Sequence, residues 1–277
     1  MRGTIPDPSF PAEAKGRRFS GDSGILREVR AATAFLTRIP VGSSSSDITG
    51  AAAFALVGGL IGLVGAVPLL LIGRQAPLAA GTLAVGAIAL ISGGLHLDGL
   101  ADTADALAAP NAASAERARK DPRAGPAGVA AIAIVTLADA ALLATLAGSA
   151  GVVAAALGCV AAGAGSRAAP PIVAGFQRLL PARKAGEVGV GAGAWFGSRT
   201  GSRAAFVSAI SAIAIGGVGA AIAGTLAPVV GVIGGMVVGI GASAWLRTVR
   251  GTLDGDGFGA LVEIAFTATL LGVLFAS

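Results

Sequence analysis

The chain has 277 residues, 54% of them hydrophobic and only 13% charged, with a formal charge of +5 and a mean hydropathy of +0.81. Soluble domains carry about 25% charged residues, so a soluble globular domain is excluded and a multi-pass membrane protein is expected. One cysteine and one histidine exclude an intrachain disulfide and any zinc site built on Cys or on several His, which leaves metal binding to carboxylates. The pI near 10.6 does not argue for nucleic acid, because the basic residues are scattered and no basic run has interleaved aromatics.

Residues 1–24 are polar, carry Pro6, Pro8 and Pro11, and read as a flexible tail. No apolar h-region follows the early charges, so no cleaved signal peptide is expected. Residues 24–39 set Ile25, Leu26, Val29, Phe35 and Leu36 against Arg27, Glu28, Arg30 and Arg38, the pattern of an amphipathic helix on a membrane surface. Apolar stretches of spanning length follow at about 51–73, 77–96, 125–148, 151–175, 204–225, 228–246 and 258–276. The expected fold is therefore all-α: a polytopic transmembrane bundle of about seven spans plus the surface helix, with residues 25–277 as one membrane-embedded domain. Gly231, Gly235 and Gly239 form a small-residue stripe that reads as helix packing, within the chain or in a homo-oligomer. Cys159, in an apolar segment, reads as a small buried hydrophobe.

The basic residues cluster before the first span and in the three long connections, near 97–124, 176–203 and 247–257; only Arg74 falls on the other side. The positive-inside rule then places the amino terminus and those connections in the cytoplasm of a bacterial inner-membrane protein, with the carboxyl terminus outside. Asp98, Asp102, Asp105, Glu116, Asp121, Glu187, Asp254 and Asp256 share that geography, whereas Asp139 and Glu263 fall inside spans.

Three constellations carry candidate chemistry. In His96-Leu97-Asp98-Gly99-Leu100-Ala101-Asp102-Thr103-Ala104-Asp105 the aspartates recur at i, i+4 and i+7, one face of a helix. Three like charges on one stripe suit a cation, and an all-oxygen set suits Mg²⁺ or Mn²⁺, with His96 as neighbouring ligand, proton carrier or phosphate contact. In Lys120-Asp121-Pro122-Arg123-Ala124-Gly125-Pro126-Ala127-Gly128, Lys120 and Arg123 are candidates to clamp phosphate oxygens. In the segment Asp254 to Glu263, Asp256 and Glu263 share a helical face, and Glu263 lies where an ionised group needs a partner. Ser166 with Arg167, and Arg183 in the next connection, are further candidates for a pyrophosphate. No G-x-x-x-x-G-K-[ST] loop occurs, and no Ser stands with a usable His. What remains is carboxylates, a metal and cations, a set suited to phosphoryl or nucleotidyl transfer.

Gly93-Gly94-Leu95-His96-Leu97-Asp98-Gly99-Leu100-Ala101-Asp102-Thr103-Ala104-Asp105 resembles the signature of the cobalamin synthase family, the adenosylcobinamide-GDP ribazoletransferases. Phe35-Leu36-Thr37-Arg38-Ile39-Pro40-Val41-Gly42, Lys120-Asp121-Pro122-Arg123, Ser166-Arg167 and Gly255-Asp256 with Gly259 and Glu263 resemble its other motifs in order, so the likeness covers about residues 25–275. Ala106, Ala182 and Asp254 depart from that family's usual Gly, Tyr and Thr. The resemblance implies a Mg²⁺-dependent membrane transferase that joins adenosylcobinamide-GDP to α-ribazole, or its 5′-phosphate, and releases GMP. It implies Mg²⁺ on Asp98, Asp102 and Asp105, phosphate contacts from Lys120, Asp121, Arg123, Ser166, Arg167 and Arg183, and catalytic work by His96, the three aspartates, Asp256 and Glu263. Two alternatives stand beside it. A CDP-alcohol phosphotransferase also spaces aspartates helically with a Gly, but its following Ala-Arg is missing here. A cation or solute transporter would use Asp139 and Glu263 as intramembrane sites.

Overall fold

The computed structural model describes residues 24–42, 48–111, 114–115, 123–176, 192–251 and 253–277. The expected tail 1–24 lies almost wholly outside these residues, as do Lys120, Asp121 and Arg183. Every regular element among the described residues is helical: α1 (Gly24–Leu36), a 3₁₀ turn (Ala51–Ala53), α2 (Phe54–Ile72), α3 (Pro77–Ser92), α4 (Leu95–Ala108), α5 (Pro126–Ser149), α6 (Val152–Gly175), α7 (Ala192–Arg199), α8 (Ser202–Ala223), α9 (Ala227–Arg250) and α10 (Gly255–Ala276).

Local chemistry sets the boundaries. Pro77, Pro126 and Pro228 stand in the first turns of α3, α5 and α9, where a missing N–H is no loss. Asp254 caps α10, its carboxylate accepting from the Gly257 N–H at 3.0 Å. Gly93 and Gly224 end α3 and α8 in the left-handed conformation.

Six helices are long and apolar enough to cross a membrane: α2 with its leading turn, α5, α6, α8, α9 and α10. The seventh expected span, 77–96, differs. It breaks at Gly93 and Gly94, whose φ values are +66° and +72°, and α4 departs from α3 at 94°. Two consecutive left-handed residues cannot continue a right-handed helix, while Leu95 and Leu97 keep the hydropathy high across the break. α3 alone, at 16 residues, reaches about 24 Å, short of the ~30 Å hydrocarbon layer. Counting α3 and α4 as one broken span restores seven. The outward sides of the bundle carry Leu71, Leu90, Ile134, Leu137, Ile210 and Ile222, all exposed. Such a continuous apolar exterior is solvated by lipid rather than water.

α6 is the centre of the bundle. It meets α2 through glycines: a Cβ on Gly62 would stand 2.6 Å from the Cys159 carbonyl oxygen. Cys159 is fully buried, as expected. The Gly231–Gly235–Gly239 stripe is packing, as the sequence suggested. Gly231 and Gly235 lie against Ala265, Thr269 and Val273 of α10, and Gly239 against Ala169 of α6. α1, the α3–α4 break, the starts of α5, α8 and α10, and the ends of α6 and α9 gather at one end of the bundle. Arg74 and the α5–α6 turn line a depression at the other.

Candidate active site

Helix α4 carries the aspartate motif, and two contacts fix its position. It crosses the start of α10 where both chains have glycine. A Cβ on Gly99 would sit 2.7 Å from the Asp256 carbonyl oxygen, and one on Gly259 would sit 3.2 Å from the Gly99 Cα. Backbone therefore meets backbone, and the first and third constellations become neighbours. The second contact is Asp105. One carboxylate oxygen accepts from the Gly125 N–H at 2.7 Å and the other from the Gly128 N–H at 2.8 Å. A Cβ on either glycine would stand 2.5 Å from an Asp105 oxygen. Gly125 and Gly128 thus admit a carboxylate to the amino terminus of α5, where free N–H groups and the helix dipole favour it. That joins the first constellation to the second.

The three aspartates have different surroundings. Asp98 is exposed and Asp102 half-buried, one turn apart on α4, while both Asp105 oxygens are engaged by α5. His96 is 4% exposed, and its Nδ1 has no hydrogen-bond partner. At the head of α10, Asp254 also accepts from the Arg250 guanidinium at 3.0 Å. Its place as a helix cap explains the departure from Thr, since both residues cap well. Arg123 is exposed just before α5.

Three sequence-selected residues lie deeper. Ser166 and Arg167 are wholly inside the bundle, at 0% and 1% exposure; the Arg167 guanidinium donates to Ser166 Oγ at 2.9 Å and lies 5.6 Å from the Phe266 ring centroid. In this conformation neither touches the surface that Asp98 and Asp102 share. Glu263 is half-buried and faces a small internal cavity together with Arg167.

Other contributors are given no role in the transfer reaction by the sequence alone. Asp139 has a partner, the Thr267 hydroxyl, which donates to its Oδ1 at 2.7 Å. The Arg38 N–H donates to the Ile91 carbonyl at 2.8 Å, and its side chain lies where a Gly93 Cβ would be, so the end of α1 is fastened to the α3–α4 break. Phe35, Phe54, Phe196 and Phe258 pack together with ring centroids 5.2–5.9 Å apart, Phe258 edge-on to Phe196, tying α1, α2, α7 and α10 together beside the site. Next to them Trp195 lies under the Arg199 guanidinium at 5.7 Å. In a chain with only 4% aromatics, four phenylalanines at one end were the available signal.

Among the described residues, no three His, Cys, Asp or Glu side chains come together closely enough to hold a metal ion. Mg²⁺ is usually held by one or two carboxylates, waters and substrate phosphates rather than by an all-protein cage. Asp98 and Asp102, accessible and one turn apart, fit that mode of binding. The arrangement offers an anionic edge, a buried imidazole on the same helix and Arg123 just before α5.

Residues 28–274 match a family model described as cobalamin-5-phosphate synthase. Proteins named adenosylcobinamide-GDP ribazoletransferase in Brucella ovis, Brucella canis and Brucella melitensis are each 40% identical to the chain over 91 residues. The aligned stretch is 30% of this chain and 35% of each of those relatives. No solved structure matches the chain significantly.

Proposed function

The chain belongs to the cobalamin-5-phosphate synthase family, and from that premise we propose that it joins adenosylcobinamide-GDP to α-ribazole, or its 5′-phosphate, at a membrane surface. The observation that carries the reading is the convergence of three family motifs. α4 rests on α10 through Gly99 and Gly259, and on α5 through Asp105.

A ribose hydroxyl of the ribazole, one that stays free when the 5′ position carries phosphate, attacks the phosphorus that bears the cobinamide. A new P–O bond forms, the P–O bond to GMP breaks, and GMP leaves with the electron pair. The hydroxyl proton passes to a base. His96 is our candidate for that role: it is the chain's one imidazole, and its Nδ1 is left without a hydrogen-bond partner among the described residues. Asp98 and Asp102 are the groups that would hold Mg²⁺, which when bound neutralises charge on the pyrophosphate. Arg123, exposed just before α5, takes up the phosphates. Asp105 acts as a positioning residue, holding the start of α5 against α4. Asp256 stands at the crossing of α4 and α10 and orients groups there. The basic residues gathered at this end support a cytoplasmic site.

The test is GMP release and cobalamin formation by purified protein in lipid, supplied with both substrates, with and without Mg²⁺. Mg²⁺-dependent formation of both products is expected. Neither product from folded protein, with turnover of CDP-diacylglycerol instead, would overturn the reading.

A further inference from the structure

Asp139 of α5, Arg167 of α6 and Glu263 of α10 come from three different helices and line one cavity of about 20 Å³. That is room for about one water molecule. Val85, Ile88, Ala89 and Ser92 of α3, Leu97 of α4 and Phe266 complete its wall. By helix rise, Glu263 lies about 12 Å and Asp139 about 20 Å from the site end of their helices, within the hydrocarbon layer. The Arg167 Nε, 1% exposed as a residue, has no hydrogen-bond partner. Asp139 Oδ1 accepts from the Thr267 hydroxyl.

The charges do not balance. Two carboxylates and one guanidinium line the same cavity. The other titratable groups packed around them are His96 from α4 and Cys159 from α6, and neither supplies a fixed positive charge. An uncompensated charge at this depth is expensive by several kcal/mol. A single proton on one carboxylate brings the trio to neutrality. A water in the cavity then has the Arg167 Nε and carboxylate oxygens as partners, enough to hold it.

We propose that Asp139, Arg167 and Glu263 form an intramembrane site that holds one water molecule and one exchangeable proton. The proposal does not rest on the transfer reaction. Infrared spectroscopy of the purified protein in lipid nanodiscs at neutral pH tests it through the C=O stretch of a protonated carboxyl. The wild type shows a band worth one carboxyl, and it shifts in D2O. Asp139→Asn and Glu263→Gln each abolish the band, because the remaining carboxylate then balances Arg167. Asp98→Asn, on the exposed edge, leaves it unchanged. Arg167→Met makes it about double, because two carboxylates must then be neutral. No protonated-carboxyl band in the wild type overturns the proposal, and so does a band that survives either single substitution. A band that disappears on adding sodium identifies a metal ion as the occupant and overturns it as well.

Discussion

Asp98 and Asp102 on one hand, Asp139 and Glu263 on the other, are the same functional group in two settings. The first pair lies on the open side of α4, where water screens repulsion and a ligand has access. The second lies inside the bundle, where every charge must be matched by a neighbour. Arg167 sorts with the second group despite its place in a family motif: it is 1% exposed and held by Ser166 and Phe266. Solvation, more than residue type, thus divides the acidic residues into an outer set open to the surroundings and an inner set enclosed by the helices.

That division can be broken at several points. The largest effect is expected from the outer set: Asp102→Asn lowers the rate of GMP release by roughly 10²-fold or more while the protein stays folded, the scale of losing one electrostatic contact to a reacting group. Wild-type turnover in that variant would remove Asp102 from the metal role. Gly99→Val forces α4 off α10 and is expected to cost about 3 kcal/mol, with activity lost alongside; thermal unfolding in detergent reads the first and turnover the second. Asp105→Ala removes the carboxylate from the start of α5, costing about 1–2 kcal/mol. Hydrogen exchange at the Gly125 and Gly128 amides should accelerate selectively. Thr267→Val leaves Asp139 Oδ1 without its donor, and about 1 kcal/mol of stability goes with it. The smallest effect sharpens the family comparison: Asp254→Thr exchanges one good cap for another and should shift stability by less than about 0.5 kcal/mol.

Much of this architecture could be read from the chain. Apolar runs located the spans, the Gly231–Gly235–Gly239 stripe marked a packing seam, and the aspartate spacing marked a helical face. Hydropathy could not see the break at Gly93 and Gly94, because apolar residues stand on both sides of it. The destination of Asp105 was hidden for a different reason. Its partners are backbone amides 20 and 23 residues away, and no side-chain pattern encodes a bare N–H. The Asp139–Thr267 pair spans 128 residues, and only the packing of α5 on α10 makes them neighbours. Periodicity reports which face of a helix is apolar; it does not report which other helix that face meets.

The placing of the indoles has an optical consequence. The chain has two tryptophans and no tyrosine. Trp195 lies in α7 beneath Arg199, and Trp245 lies near the end of α9 with half of its surface exposed. Both belong to the end of the bundle that carries the aspartate motif, so the opposite end holds no indole among its residues. The intrinsic emission of the unlabelled protein is therefore a local signal. Its colour and quenching report on the end that carries the aspartate motif, with Trp245 sampling the surroundings of the bundle and Trp195 the phenylalanine cluster.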